Sequence, residues 1–197
     1  LLITGARQVG KTYTIKKFAE ENYDSFVEID FIENTKAVKV FKEITNSSDL
    51  LMKLSLLVNK PLIKGETLIF LDEVQVCPEI ITAIKYLVDE GSYKYILSGS
   101  LLGVELKDIR SIPVGYMDVI EMYPMDFEEF LLSSGVSKSI IKMLEESYIN
   151  KKTVDPFIHD KIMNLFNLYL IVGGMPAVVN KYYETNNIQD VILEQRS

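Results

Sequence analysis

Gly5-Ala6-Arg7-Gln8-Val9-Gly10-Lys11-Thr12 fits the pattern G-x-x-x-x-G-K-[ST] without a mismatch. A chain of this composition meets that pattern by chance about once in two hundred cases, so the flanks decide its meaning. Residues 1–4 (LLIT) form a short apolar run, which reads as a buried strand. Beyond the loop, Ile15, Phe18 and Ala19 recur at helical spacing, so a helix follows. A glycine-containing loop between a strand and a helix turns its backbone N–H groups inward and forms a nest for an anion. The helix adds the positive end of its dipole. In this frame Gly5, Ala6, Arg7, Gln8, Val9 and Gly10 supply the cradle. Lys11 reaches the outer phosphates, and the Thr12 hydroxyl ligates Mg2+.

Reading outward, Phe26, Ile29 and Phe31 alternate with polar positions over residues 25–31, which predicts a second strand. Residues 34–58 predict one or two amphipathic helices, broken near Asn46-Ser47-Ser48, with Ser48 or Asp49 as the second N-cap. Residues 67–71 (TLIFL) are an unbroken apolar run, the mark of a strand buried on both faces of a parallel sheet. Two carboxylates, Asp72 and Glu73, emerge at its C-terminal end, where open α/β sheets bind ligands. Asp72 is expected to hold Mg2+ through water, and Glu73 to orient and deprotonate an attacking water. Pro78 opens a helix that Gly91 ends. Residues 93–97 predict a fourth strand and residues 114–122 a fifth. Strands alternating with helices imply an α/β fold with a parallel sheet.

Ser98-Gly99-Ser100 follows the fourth strand. Ser98 and Ser100 are both candidates to hydrogen-bond a terminal phosphate or its attacking water, against the plain alternative of a Ser-Gly turn. Gln75, two residues after Glu73, reads first as a solvated residue in the first turn of a helix and second as a reporter of phosphate state to the neighbouring helix. Arg110 reads first as a surface arginine and second as a finger lent to a neighbouring subunit. After Pro124 the apolar spacing is helical throughout, interrupted at Gly173-Gly174. The expected division is therefore a core at residues 1–123 and a helical region at residues 124–197.

Composition limits the alternatives. Apolar residues make up 48% and charged residues 25%, an ordinary globular mixture. The net charge of −7 gives no global attraction to nucleic acid or anionic lipid. Cys77 and His159 are single examples of their kind, which excludes a disulfide within the chain and a Cys/His structural zinc site. The expectation is a reducing, cytoplasmic setting. No apolar run approaches the ~18–20 residues that cross a bilayer. Because residue 1 is not Met and both ends fall inside elements, the chain reads as a piece of a longer protein.

LLITGARQVGKTY, TLIFLDEVQVCPE, ILSGSLLG, YPMDFEEFL and LIVGGMPAVV together resemble AAA-plus-like P-loop ATPases of bacteria and archaea. In particular they resemble a family of ATPases related to the archaeal and STAND ATPases, whose core precedes an endonuclease-like region. The resemblance implies a P-loop NTPase three-layer sandwich with strand order 5-1-4-3-2, followed by a small helical lid. It implies ATP with Mg2+ as ligands and hydrolysis used as a conformational switch or regulator. A nucleic-acid-directed remodeller is the alternative, which this acidic stretch does not support; a kinase ranks below both. Gly174-Met175-Pro176 matches the G-x-P element whose proline packs on adenine in the relatives, against the plain reading of a helix–turn–helix junction. Many relatives carry Gly-Arg where this chain has Gly115-Tyr116. Self-association is left open.

Overall fold

The computed structural model describes residues 1–42, 46–58, 60–100 and 115–196. The chain divides into two compact units, Leu1–Met122 and Tyr123–Ser197.

The first unit is built on five parallel strands: β1 (Leu2–Thr4), β2 (Ser25–Asp30), β3 (Thr67–Asp72), β4 (Lys94–Gly99) and β5 (Val119–Glu121). Their order is β2-β3-β4-β1-β5, which is 5-1-4-3-2 read from the other edge. Four helices are described with them: α1 (Lys11–Asn22), α2 (Thr35–Lys42), α3 (Ser47–Leu57) and α4 (Glu79–Glu90).

All six residues of β3 are buried, as its unbroken apolar run predicts. Successive side chains of a strand point to opposite faces. Ile69 and Leu71 pack in one cluster with Phe41, Leu50, Leu54, Ile80 and Ile84, from α2, α3 and α4. Leu68 and Phe70 pack in another with Ile15 and Ala19 of α1 and Ile96 of β4. One strand therefore supplies the middle layer of an α/β/α sandwich. The short edge strand β5 is exposed at every residue.

Local signals act as their chemistry requires, with one correction. Gly91 ends α4 in the left-handed region at φ 76°, where a side chain is disfavoured. The N-cap of α3 is Asn46 rather than Ser48 or Asp49, because its side chain accepts the Asp49 backbone N–H at 2.8 Å. The helix consequently starts earlier, and Asp49 falls in its first turn, where the dipole favours a carboxylate.

The second unit is helical: α5 (Phe127–Ser133), α6 (Lys138–Ile149), α7 (Pro156–Val172), α8 (Pro176–Thr185) and α9 (Ile188–Glu194). Asp126 and Glu129 close a reciprocal capping box on α5. The Gly173-Gly174 interruption has a steric cause. A Cβ on Gly174 would lie 2.0 Å from the Met125 carbonyl oxygen. The two backbones join where the Met125 N–H donates to the Gly174 carbonyl at 2.8 Å. Among the described residues no single helix is long and apolar enough to cross a membrane. Among the described residues one pair, α7 and α8 taken together, passes that test, across a bend of 116°.

Phe70 is fully buried at the centre of the sheet, so Phe70→Ala should cost about 3–5 kcal/mol, read as a lowered urea midpoint. Tyr13, 71% exposed on α1, is the control: Tyr13→Ala should change stability by less than about 0.5 kcal/mol.

Candidate functional site

The loop between β1 and α1 is shaped by close approach. Gly5 has φ 141°, and a Cβ there would lie 2.1 Å from the Met122 carbonyl oxygen on the chain leaving β5. Gln8 at φ 63° and Gly10 at φ 93° place two further residues in the left-handed region, the kind of backbone from which anion nests are built. Val9 anchors the loop, being 1% exposed. Ala6 and Arg7 are exposed. Gly10 is the N-cap of α1 and provides no side-chain cap, and the first turn carries no acidic residue. The leading amides of α1 are thus left to an external acceptor.

Lys11 is 7% exposed, and its Nζ donates to the carbonyls of Gly5 at 3.0 Å and Ala6 at 2.6 Å. Burial pushes its ammonium below the ordinary lysine value, opposed by the charges of Glu73 and Asp72. The next residue reaches across to β3: Thr12 Oγ1 donates to Asp72 Oδ2 at 2.7 Å. Asp72, 3% exposed, also accepts the Ser98 hydroxyl and the Glu73 backbone N–H at 2.9 Å on Oδ1. A buried carboxylate needs such partners, and here they come from α1, β4 and its own chain.

The order of the strands makes this meeting possible. β4 lies between β1 and β3, pairing Ile3 with Ser98 and Leu71 with Leu97. Ser98 and Gly99 belong to β4, so Ser98 sits in the strand rather than in a turn beyond it, fully buried beside Asp72. Ser100 lies just past the strand and is 1% exposed. Its hydroxyl donates to Glu73 Oε2 at 3.3 Å and accepts from Arg7 Nε at 3.5 Å. The two serines therefore divide the acids between them, Ser98 on Asp72 and Ser100 on Glu73. Glu73 itself has φ 55°, uncommon for a residue with a side chain. Backbone strain of this kind costs about 1–3 kcal/mol and gathers at active sites.

A polar cavity of about 400 Å³ opens at this sheet edge, lined among others by Thr12, Lys16, Glu28, Asp72 and Glu73. Lys16 is held at its rim by Glu28 at 2.8 Å, and that hydrogen bond raises its pKa. The donors present suit one cation in particular. Mg2+ takes one or two protein oxygens plus phosphate oxygens and water, unlike metals held in all-protein cages. The Thr12 hydroxyl and the Asp72 carboxylate, hydrogen-bonded to each other beside the uncapped end of α1, fit that pattern. Among the described residues no cluster of three or more His, Cys, Asp and Glu is placed to hold a metal by itself.

The remaining candidates fall elsewhere. Gln75 is not the solvated residue the sequence suggests: it is half-buried and bonded to Glu73 and Ser100. Its position at an i+2 spacing from Glu73 was visible, but the turn that folds it back was not. Arg110 lies outside the described residues. His159 is exposed beside Asp160. Cys77 is fully buried, and burial, then the charge of Glu79, pushes its thiol up to about 12. Pro176 is the first residue of α8, in the second unit.

Residues 1–131 match the AAA domain family. The chain belongs to that family. No curated protein matches it. Among solved structures it is similar to Drosophila ORC bound to DNA, at 13% identity and TM-score 0.50 over 100% of this chain and 60% of that one. It is also similar to C. elegans PCH-2, at 14% identity and TM-score 0.43 over 99% and 59%. A third is Cdc6p from Pyrobaculum aerophilum, at 17% identity and TM-score 0.41 over 68% and 41%. The chain thus spans between 41% and 60% of the length of these structures, and identities this low speak to the fold alone. For an AAA domain the implied ligand is a nucleotide.

The depressed Lys11 gives a test of the cradle. Added phosphate charge returns its pKa toward 10.5, so just below that pH the bound form holds more protons than the free form. Binding of tripolyphosphate or nucleotide should therefore take up protons there, and affinity should fall as pH rises through that window. Calorimetry in two buffers of different ionisation heat measures the uptake, which Lys11→Met should remove.

Proposed function

We propose that this AAA domain binds ATP with Mg2+ and hydrolyses it, using the cycle as a conformational switch or regulator. The observation that carries the reading is the Thr12 Oγ1–Asp72 Oδ2 hydrogen bond at 2.7 Å, made at the uncapped N-terminus of α1. It joins the residue after the loop lysine to the acid at the end of β3, which is the pairing a metal-bridged phosphate requires.

Each residue has a definite task. The amides of residues 5–10 and the first turn of α1 bind the phosphate oxygens. Lys11 gives up the Gly5 and Ala6 carbonyls and takes an outer phosphate oxygen in their place. Thr12 Oγ1 would ligate Mg2+ and Asp72 would hold it through water, and the bound ion would neutralise charge building on the phosphates. Glu73 orients a water in line with the terminal phosphate and takes its proton. Ser98 keeps Asp72 in place, and Ser100 does the same for Glu73. Water as acceptor favours hydrolysis over phosphoryl transfer to another molecule. For the base, the support is the sequence resemblance: Pro176 is proposed to pack on adenine, with the helical unit acting as lid.

Two comparisons test the reading. Lys11→Ala should weaken ATP binding by about 2–5 kcal/mol, because it removes one side of a desolvated charge pair. Glu73→Gln should keep ATP affinity while lowering turnover by about 10²–10⁴-fold. Equal turnover in Glu73→Gln and the unaltered chain would sink the hydrolysis assignment. For the lid, Pro176→Ala should weaken ATP more than tripolyphosphate in a direct titration; equal losses would remove Pro176 from the base site.

A further inference from the structure

Gln75 lies in a 3-10 turn, Val74–Val76, that follows β3. Glu73 is the residue before that turn, and its left-handed backbone folds the chain so that the side chains of residues 73 and 75 meet. Gln75 Nε2 donates to Glu73 Oε2, and also lies 3.2 Å from Ser100 Oγ. Ser100 Oγ in turn donates to the same Glu73 oxygen at 3.3 Å and accepts from Arg7 Nε at 3.5 Å. One hydroxyl proton and two lone pairs are all that a serine offers, so this hydroxyl is fully engaged.

Gln75 Oε1 is buried and has no hydrogen-bond partner among the described residues. An amide turned the other way would set its carbonyl oxygen against a carboxylate oxygen. The orientation of Gln75 is thus dictated by Glu73 and leaves a buried acceptor without a partner among the described residues. Groups orphaned in this manner call for a functional account. Glu73 is a wall of the polar cavity that also carries Thr12 and Asp72, whereas Gln75 and Ser100 are not among its walls. The two donors thus meet the same carboxylate oxygen, Oε2, and neither of their residues walls the cavity.

We propose that Gln75 is a positioning residue for hydrolysis: its side-chain amide, with Ser100, clamps one oxygen of Glu73 so that the other faces the attacking water. This rests on the hydrolysis reading above. Neither the phosphate-loop pattern nor the pair of acids requires a glutamine at this place. Positioning partners of this kind act on rate through another group, and their loss costs about 10–100-fold.

Gln75→Met keeps the length and shape of the side chain and removes its donors. In steady-state assays kcat should fall about 10–100-fold, while KM and the ATP dissociation constant stay at their unaltered values. Gln75→Ala should behave alike, whereas a packing role would let Met restore activity. In single-turnover measurements on a Glu73→Gln background, Gln75→Met should add no comparable loss. A structural readout is independent of turnover. The Gln75 side-chain amide of nucleotide-free protein should show exchange-protected, shifted NMR resonances that move to solvent-exposed positions in Glu73→Ala. Unaltered kcat in Gln75→Met, an undiminished loss on the Glu73→Gln background, or an amide indifferent to Glu73→Ala would each overturn the clamp while leaving the ATPase assignment standing. A protected amide in a chain whose turnover ignores Glu73→Gln would overturn the assignment itself, and the positioning role with it.

Discussion

A carboxylate 3% exposed at the end of a fully buried strand is the constraint around which the first unit is arranged. Left unpaired, the Asp72 charge would be expensive enough to disfavour the fold. Its partners come from three directions: Thr12 on α1, Ser98 on β4 and the backbone N–H of Glu73. Satisfying the acid therefore ties the loop helix to two neighbouring strands. The same bonds gather the residues that would meet a phosphate and its metal. Stability and site geometry here share one set of interactions.

The sheet makes that gathering possible. Parallel strands bring their C-terminal ends to one edge, and placing β4 between β1 and β3 brings a serine strand between the loop and the acids. The two apolar faces of β3 hold the strand rigidly, with Ile69 and Leu71 against one helical layer and Leu68 and Phe70 against the other. Chemistry that depends on sub-ångström placement is best carried at the end of such an element. The strain admitted at Glu73 and the orphaned oxygen of Gln75 lie immediately beyond it.

The helical unit follows a different logic. No sheet organises it; close backbone approach at Gly174 and Met125 does, reinforced by the Tyr169 hydroxyl donating to the Met125 carbonyl at 2.9 Å. In the Gly173-Gly174 pair that breaks the helical pattern, Gly174 is thereby a packing requirement, and Gly173 turns the chain at φ 76°. Pro176 then begins α8 at a position where the absence of its N–H does no harm.

Much of this was legible in the residues alone. The strand–loop–helix at residues 1–22, the doubly buried β3 and the Pro78-to-Gly91 helix follow from periodicity and from Gly and Pro, because these signals act over a few neighbouring residues. Strand order came from the resemblance to ATPases rather than from any local pattern, since nothing in β4 by itself says that it inserts between β1 and β3. Asn46 prevailed as a cap over Ser48 and Asp49 because its side chain, rather than theirs, accepts the Asp49 backbone N–H in the first turn of α3. Long-range packing decided the rest. Ser98 and Ser100 looked equivalent in sequence and were separated only by the sheet, which turns one toward each acid. Gln75 read as a solvated residue because its fate depends on the left-handed backbone of Glu73 and on a serine 25 positions away. Sequence carries the chemistry of single side chains and the period of single elements; which side chains share a proton is settled only when distant strands lie side by side.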